Sequence, residues 1–218
     1  MASVSHDLRT PLTTIKALAH DMAENGEERA ELIEAEADRL TTLVGDLLDF
    51  SRINSGSLPV AIEANEAEDL IGAALQQVMG SSKGREIKVS LDPAHPLLFG
   101  RFDFTHTLRV VVNLIENALK YSPSVVDLSV KRDGPWLAFT VADRGIGIAP
   151  AERARIFEPF YRPDGVAADT KGVGLGLSIA RALAEMQGGT LTYAEREGGG
   201  SLFTLRVPAM DVHDMAGA

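Results

Sequence analysis

Two asparagines one helical turn apart carry the first chemical signal. In Asn113-Leu114-Ile115-Glu116-Asn117-Ala118-Leu119-Lys120-Tyr121-Ser122, Asn113 and Asn117 share a helix face, and Lys120 falls one residue short of the next turn on that side. Two amide oxygens and an ammonium on one surface can hold Mg²⁺ and phosphates, because this ion takes hard oxygen ligands and keeps several waters. A polar helix edge turned to water shows the same pattern. Asp143-Arg144-Gly145-Ile146-Gly147-Ile148 follows a strand-like run ending at Val141. A carboxylate there can accept from an exocyclic amine such as that of adenine, and glycines let backbone approach a planar ligand closely. A strand-to-loop turn with glycine at positive φ is the plainer reading.

Gly172-Val173-Gly174-Leu175-Gly176-Leu177 opens a helix, where free backbone N–H groups bind phosphate. It is not a Walker loop, because no Gly-Lys-Ser/Thr follows, and no strand precedes it as a dinucleotide fingerprint requires. Phe157-Glu158-Pro159-Phe160-Tyr161-Arg162 precedes a stretch rich in small and polar residues, 163–171. An aromatic anchor followed by such a segment suggests a lid. Near the start stands Ser5-His6-Asp7-Leu8-Arg9-Thr10-Pro11-Leu12. The carboxylate after His6 can orient an imidazole or take its proton. Pro11 removes a helical hydrogen bond and bends the rod.

These residues need elements to position them. Leu8, Leu12, Ile15, Leu18 and Met22 recur at steps of three and four, Asn25-Gly26 interrupts, and a second run from Leu32 to Phe50 resumes the spacing. The pattern predicts a helical hairpin over residues 1–56. One hairpin cannot bury both of its apolar stripes, and pairing two into a four-helix bundle would, so a homodimer is expected. Residues 57–67 read as a linker. Beyond it, Glu68–Met79, Phe104–Tyr121 and Leu175–Met186 read as helices. Ile87–Leu91, Val125–Lys131, Trp136–Val141, Leu191–Glu195 and Leu202–Val207 read as strands, with hairpin signals at Asp133-Gly134 and Gly198–Gly200. Without strict alternation of strand and helix, the expectation is an α+β sandwich, helices on one face of a mostly antiparallel sheet, over residues 68–210. The tail, 211–218, is expected to fray.

Composition sets outer limits. The 218 residues carry 21 Lys+Arg against 31 Asp+Glu, a formal charge of −10, which argues against a general nucleic-acid binder. With no cysteine, a disulfide framework, a cysteine zinc site and a thiol nucleophile are excluded. No stretch approaches the roughly 18 apolar residues of a membrane span. The short start before the Ser5–Leu12 motif suggests a fragment of a longer protein.

Taken together and in this order, the five clusters resemble the boxes of two-component sensor histidine kinases. Ser5–Leu12 looks like the H box, Asn113–Ser122 the N box, Asp143–Ile148 the G1 box, Phe157–Phe160 the F box and Gly172–Gly176 the G2 box. The resemblance covers about residues 3–208, and the H box and Asn113–Tyr121 look more particularly like potassium-response (Kdp-type) sensors. It implies a dimerisation and phosphotransfer hairpin followed by an ATP-binding domain of the Bergerat (GHKL) type. By the same resemblance His6 is the phosphoacceptor, Asp7 its general base, and Thr10 the residue that orients water when a partner's phospho-aspartate is hydrolysed.

In the ATP-binding domain the resemblance makes Asp143 the reader of the adenine amine, with Gly145 and Gly147 shaping its pocket. Asn113 and Asn117 would hold Mg²⁺ and the phosphates, Lys120 would add charge, and Tyr121 would flank the base or ribose. Gly172, Gly174 and Gly176 would let a lid close, with Lys171 and Arg162 as its charges. The implied cofactors are ATP and Mg²⁺. The implied partners are a second copy of the chain and a response-regulator receiver domain, with no nucleic acid and no membrane contact in this piece. The implied place is the cytoplasm, with the whole protein anchored in the inner membrane.

Gyrase-type ATPases of the same fold carry a catalytic glutamate where Asn113 stands. An amide cannot activate water, so ATP would wait for His6. Competing expectations are a nucleotide-binding scaffold without kinase activity, a true ATPase, and a form in which phosphatase activity dominates.

Overall fold

The computed structural model describes residues 13–15, 17–18, 21–22, 30–82, 84–163 and 173–211. The described pieces before residue 23 are helical, and the expected break at Asn25-Gly26 lies outside them. Helix α1 (Ala30–Asn54) is the second arm of the predicted hairpin. Its apolar residues fall into two stripes. Leu43 is buried, and Leu47, Phe50 and Ile53 pack against the core that follows. Val44 and Leu48 remain 46% and 54% exposed on another face, an apolar stripe left without a full cover among the described residues. The first stripe was expected to serve a bundle, but it seats the helix on the neighbouring domain.

That domain opens with β1 (Glu63–Glu66), which pairs antiparallel with β3 (Phe99–Phe102). The sheet therefore begins inside the stretch read from sequence as linker. Helix α2 (Ala67–Ser82) and strand β2 (Ile87–Leu91) come between them. Helix α3 (Phe104–Tyr121) follows, then β4 (Val126–Asp133), β5 (Trp136–Ala142), α4 (Gly176–Met186), β6 (Thr190–Glu195) and β7 (Ser201–Met210). The strand order is β1-β3-β7-β5-β4-β2, and β6 also pairs with β7. Every pairing is antiparallel except β2 with β4. The fold is the expected α+β arrangement.

Alternation decides which side of the sheet is covered. Along β4, Val126, Leu128 and Val130 are buried, and along β7, Phe203, Leu205 and Val207. They meet Val110, Val111, Leu114, Ile115 and Ala118 of α3 and Ile179 and Leu183 of α4 in one core. Each such fully buried side chain contributes about 1.5–3 kcal/mol relative to exposure.

Helix α3 starts at a cap. The Asp103 carboxylate accepts from the His106 N–H at 2.9 Å and from the Ala61 N–H at 2.8 Å, so one side chain fixes both the helix start and the incoming chain. At the other end the Arg85 guanidinium donates to the Leu119 and Ser122 carbonyls, placing a cation where the helix dipole favours one. Both ends of α3 are thereby anchored, and its outer face, away from the core, carries Asn113 and Asn117.

Candidate nucleotide site

Four segments converge beside that outer face of α3. The Asn117 Nδ2 donates to Asn113 Oδ1 at 3.0 Å, as residues one turn apart should. Gly176, the first residue of α4, sits so close to Asn113 that a Cβ there would run into its side-chain amide. Helix α4 begins without a side-chain cap, so its first N–H groups are left for another acceptor.

Asp143 follows β5 and is 4% exposed. Its Oδ1 accepts from the Gly145 N–H at 2.6 Å and from the Ser201 N–H at 3.3 Å. No described residue donates to Oδ2. A side chain at Gly145 would strike the Tyr121 carbonyl, so the Asp143 loop packs directly on the end of α3. Gly200, with φ of 106°, lies so close to the Asp143 carbonyl that a Cβ would not fit. The sequence marks Gly198–Gly200 only as a hairpin turn. The structure shows that the turn is the second wall of the Asp143 loop, held also by the Asp143 N–H to Ser201 carbonyl bond at 2.9 Å. The available signal was three consecutive glycines, more than a tight hairpin needs.

Tyr121 closes this side. The Lys120 Nζ lies 4.9 Å from its ring centroid. Burial pushes the Tyr121 hydroxyl pKa up, with the Arg162 guanidinium offsetting part of the rise. Arg162 therefore stands near enough to be felt at this wall. The aromatic anchor is in place too. Phe157 meets Phe203 edge-on at 6.5 Å. Phe160, at a φ of 64°, donates its N–H to the Gly174 carbonyl at 2.9 Å, which ties the two ends of segment 161–173 together.

The structure thus sets Asn117 and Gly176 against Asn113, Gly145 against Tyr121 and Asp143, Lys120 beside the Tyr121 ring, Gly147 against Gly200, and Gly174 against Phe160 and Tyr161. His6, Asp7, Thr10, Lys171 and Gly172 lie outside the described residues. Among the described residues no three carboxylate or imidazole groups cluster to hold a metal. The donors at hand are amide oxygens, which suit a hard ion that arrives with its own phosphate and water ligands. No helix of the described residues is long and apolar enough to cross a membrane.

A buried carboxylate beside a glycine loop, an asparagine pair on a helix and an uncapped helix N-terminus define a nucleotide-binding α+β domain attached to a helical arm. Comparison with known families agrees. Residues 102–211 match the model described as histidine kinase-, DNA gyrase B-, and HSP90-like ATPase, and residues 1–56 match the His kinase A (phospho-acceptor) domain. The chain belongs to the sensor histidine kinase family. It is 35% identical over 217 residues to the sensor protein KdpD of Escherichia coli (strain K12), covering 95% of this chain and 24% of that protein. It is 34% identical over 220 residues to the sensor-like histidine kinase SenX3 of Mycobacterium tuberculosis (strain ATCC 25618 / H37Rv), covering 96% of this chain and 53% of that protein. The chain therefore spans from a quarter to about half the length of these relatives.

Among solved structures, full-length ShkA in complex with AMPPNP is 29% identical with a TM-score of 0.71, covering 97% of this chain and 46% of that one. The Acinetobacter baumannii histidine kinase AdeS, at 22% identity, shares the fold with a TM-score of 0.75 over 94% of this chain and 98% of that one.

Proposed function

We propose that this chain is the catalytic portion of a sensor kinase that binds ATP at the Asp143–Asn113 site and phosphorylates its own His6. The observation that carries the reading is Asp143. One carboxylate oxygen is tethered by two backbone N–H groups, and no described residue donates to the other. Such an acceptor at a glycine-lined wall suits the exocyclic amine of adenine. The nucleotide analogue in the ShkA structure supports the same ligand class.

In this reading Tyr121, Gly145 and Gly147 flank the base. Asn113, Asn117 and Lys120 face the phosphates, and Mg²⁺, which neutralises phosphate charge when bound, is held by Asn113 and Asn117. The open N–H groups of α4, with Gly174 and Gly176, receive the phosphate end, and Lys171, Gly172 and Arg162 are assigned to it by their place in the motif. A ring nitrogen of His6 attacks the γ-phosphorus, the bond to the ADP oxygen breaks, and Asp7 takes the imidazole proton. The phosphoryl group then passes to an aspartate oxygen of a response-regulator receiver domain. Thr10 orients water for the reverse loss of phosphate from that aspartate. The uncovered stripe through Val44 and Leu48 serves the dimer. The chain acts in the cytoplasm, and the longer protein is anchored in the membrane.

The test is incubation with γ-labelled ATP and Mg²⁺, the chain beside its His6→Gln variant. An acid-labile, base-stable label in the parent and none in the variant, with ATP affinity retained, is the expected result. Label retained in the variant would remove His6 from its role. Nucleotide binding without label in either would favour the scaffold reading. Rapid ATP turnover without stable label would favour the ATPase reading, which Asn113 disfavours. Thr10→Ala should keep the label and slow dephosphorylation of a phosphorylated regulator, and equal loss of both would contradict the role given to Thr10.

A further inference from the structure

The wall behind Asp143 is a turn with few side chains to hold it. Gly198, Gly199 and Gly200 follow one another at φ of 81°, 96° and 106°, and glycine loses more conformational freedom than any other residue when its backbone is fixed. Two backbone bonds close the turn, and both use Arg196. Its N–H donates to the Gly200 carbonyl at 3.2 Å, and its carbonyl accepts from the Gly199 N–H at 2.9 Å. A Cβ on Gly200 would run into Asp143 and Arg144, and one on Gly147 would touch the Gly200 carbonyl. Whatever fixes this turn therefore fixes the loop that carries the Asp143 carboxylate.

Arg196 also supplies the side chain that ties the turn down. Its Nη2 donates to Asp127 Oδ2 on β4. Ala194 of β6, Leu202 of β7, Ala142 of β5 and Asp127 of β4 form one rung across the sheet. The ion pair joins the β6 end of that rung to its β4 end, with two strands between. The Arg196 side chain is only 16% exposed, which limits the screening that makes surface pairs weak. The ladders of β4 and β6 close through backbone pairing, so what the pair adds is the placement of the turn beyond them.

We propose that Arg196 is a positioning residue for adenine selection: tied to Asp127, it holds Gly200 against the back of Asp143 and so sets the direction in which Asp143 Oδ2 points. The role rests on adenine recognition at Asp143 and adds the residue that orients it. Arg196 acts through the turn, not on the nucleotide. With the pair cut, the glycines regain their freedom, and the Gly145 and Ser201 N–H bonds to Oδ1 loosen together. The carboxylate then keeps its charge but loses its aim. Guanine presents a carbonyl where adenine presents its amine, so it gains nothing from an aimed carboxylate and loses nothing when the aim goes.

The test compares Arg196→Ala, Asp127→Ala and the double variant with the parent, each titrated in calorimetry with Mg²⁺ and non-hydrolysable analogues of ATP and of GTP. The parent should prefer the ATP analogue. Each single variant should lose about 5-fold of that preference, the size of one hydrogen bond, through weaker ATP binding at unchanged GTP binding. The double variant should lose no more than either single one, because both substitutions cut the same tie. In the free protein, amide exchange followed by NMR should quicken about 5-fold or more at Asp143 and Gly145 in all three variants. It should stay as in the parent at Val130, inside β4.

Variants that melt earlier yet keep the parent's preference would leave Arg196 a structural residue only and overturn the positioning role. Losses that add in the double variant overturn it too, since the two residues would then act apart, as does exchange at Asp143 that does not respond. A parent that binds both analogues equally, or neither, overturns the adenine reading of Asp143 and the selection built on it, while exchange at Asp143 still judges whether the tie holds the loop.

Discussion

Gly176 stands against the Asn113 side-chain amide, with no room between them for a methyl group. The first residue of α4 thereby confines the Asn113 side chain of α3, the amide proposed above to face the phosphates. Gly176→Ala should leave the fold intact, since alanine favours helix, yet push Asn113 off its place. A displacement of about 1 Å at a phosphoryl-transfer site costs on the order of 10²-fold in rate. The labelling rate of His6 should fall by at least about tenfold while the circular dichroism melt stays near the parent's. A labelling rate within a factor of two of the parent would show that Asn113 needs no such placement.

Asp143→Asn reverses the hydrogen-bond logic of its pocket. The Gly145 and Ser201 N–H groups both point at Oδ1. An asparagine must keep its oxygen there, which turns its NH2 toward the ligand, where donor would then face donor. A buried mismatch of this kind costs about 1–3 kcal/mol or more, so ATP affinity should drop by about tenfold to a hundredfold in calorimetry. Unchanged affinity would take Asp143 out of adenine recognition.

Much of the fold is legible in the sequence alone. Phe104–Tyr121 was readable as a helix to the residue, because its apolar side faces the core along its whole length and Asp103 caps it. Ile87–Leu91 was readable for its bounds. Strand β1 was not, because Glu63-Ala64-Asn65-Glu66 has no apolar alternation and becomes a strand only by pairing with Phe99–Phe102. Long-range pairing of this kind leaves no local trace. The same holds where α1 meets this domain. Arg109 is one arginine on an amphipathic helix, and its partners Asp46 and Asp49 lie about sixty positions earlier, in a helix whose apolar stripe already had a use in the bundle. The motif residues were legible because their types are chemically unusual, whereas Gly200 hid inside an ordinary turn.

Gly200 is where that hidden contribution can be measured. At a φ of 106° and with the Asp143 carbonyl against its Cα, an alanine meets both backbone strain and a clash with main chain, which cannot swing aside. Gly200→Ala should destabilise the chain by about 2–3 kcal/mol in urea unfolding and weaken ATP binding as the Asp143 loop shifts. Gly134→Ala is the control. Gly134 also has a positive φ but open space around it, so it should cost only the backbone term, about 1 kcal/mol, and leave affinity unchanged. Equal effects of the two substitutions would mean that the contact with Asp143 adds nothing.

Asp103 gives a pH dependence whose sign follows from its surroundings. Burial alone would raise its pKa, but the His106 and Ala61 N–H bonds and the adjacent His106 ring outweigh it, and the net shift is downward. A carboxylate whose pKa is lower folded than unfolded adds stability above its unfolded value, about 3.9, and loses it as pH falls through the folded value. Asp103→Asn keeps a capping oxygen for the His106 N–H but has no charge to offer. At pH 7 the variant should be about 1–2 kcal/mol less stable than the parent. The gap should begin to narrow below about pH 4, because the unfolded carboxyl then takes up a proton that the folded one resists, and it closes only once pH has fallen past the lowered folded value. The check is the difference in urea midpoints at pH 7, 5 and 3. A gap that stays constant to pH 3 would show that the Asp103 contribution is steric rather than ionic. A gap that widens on acidification would reverse the sign and show that the neutral carboxyl is the form the fold prefers.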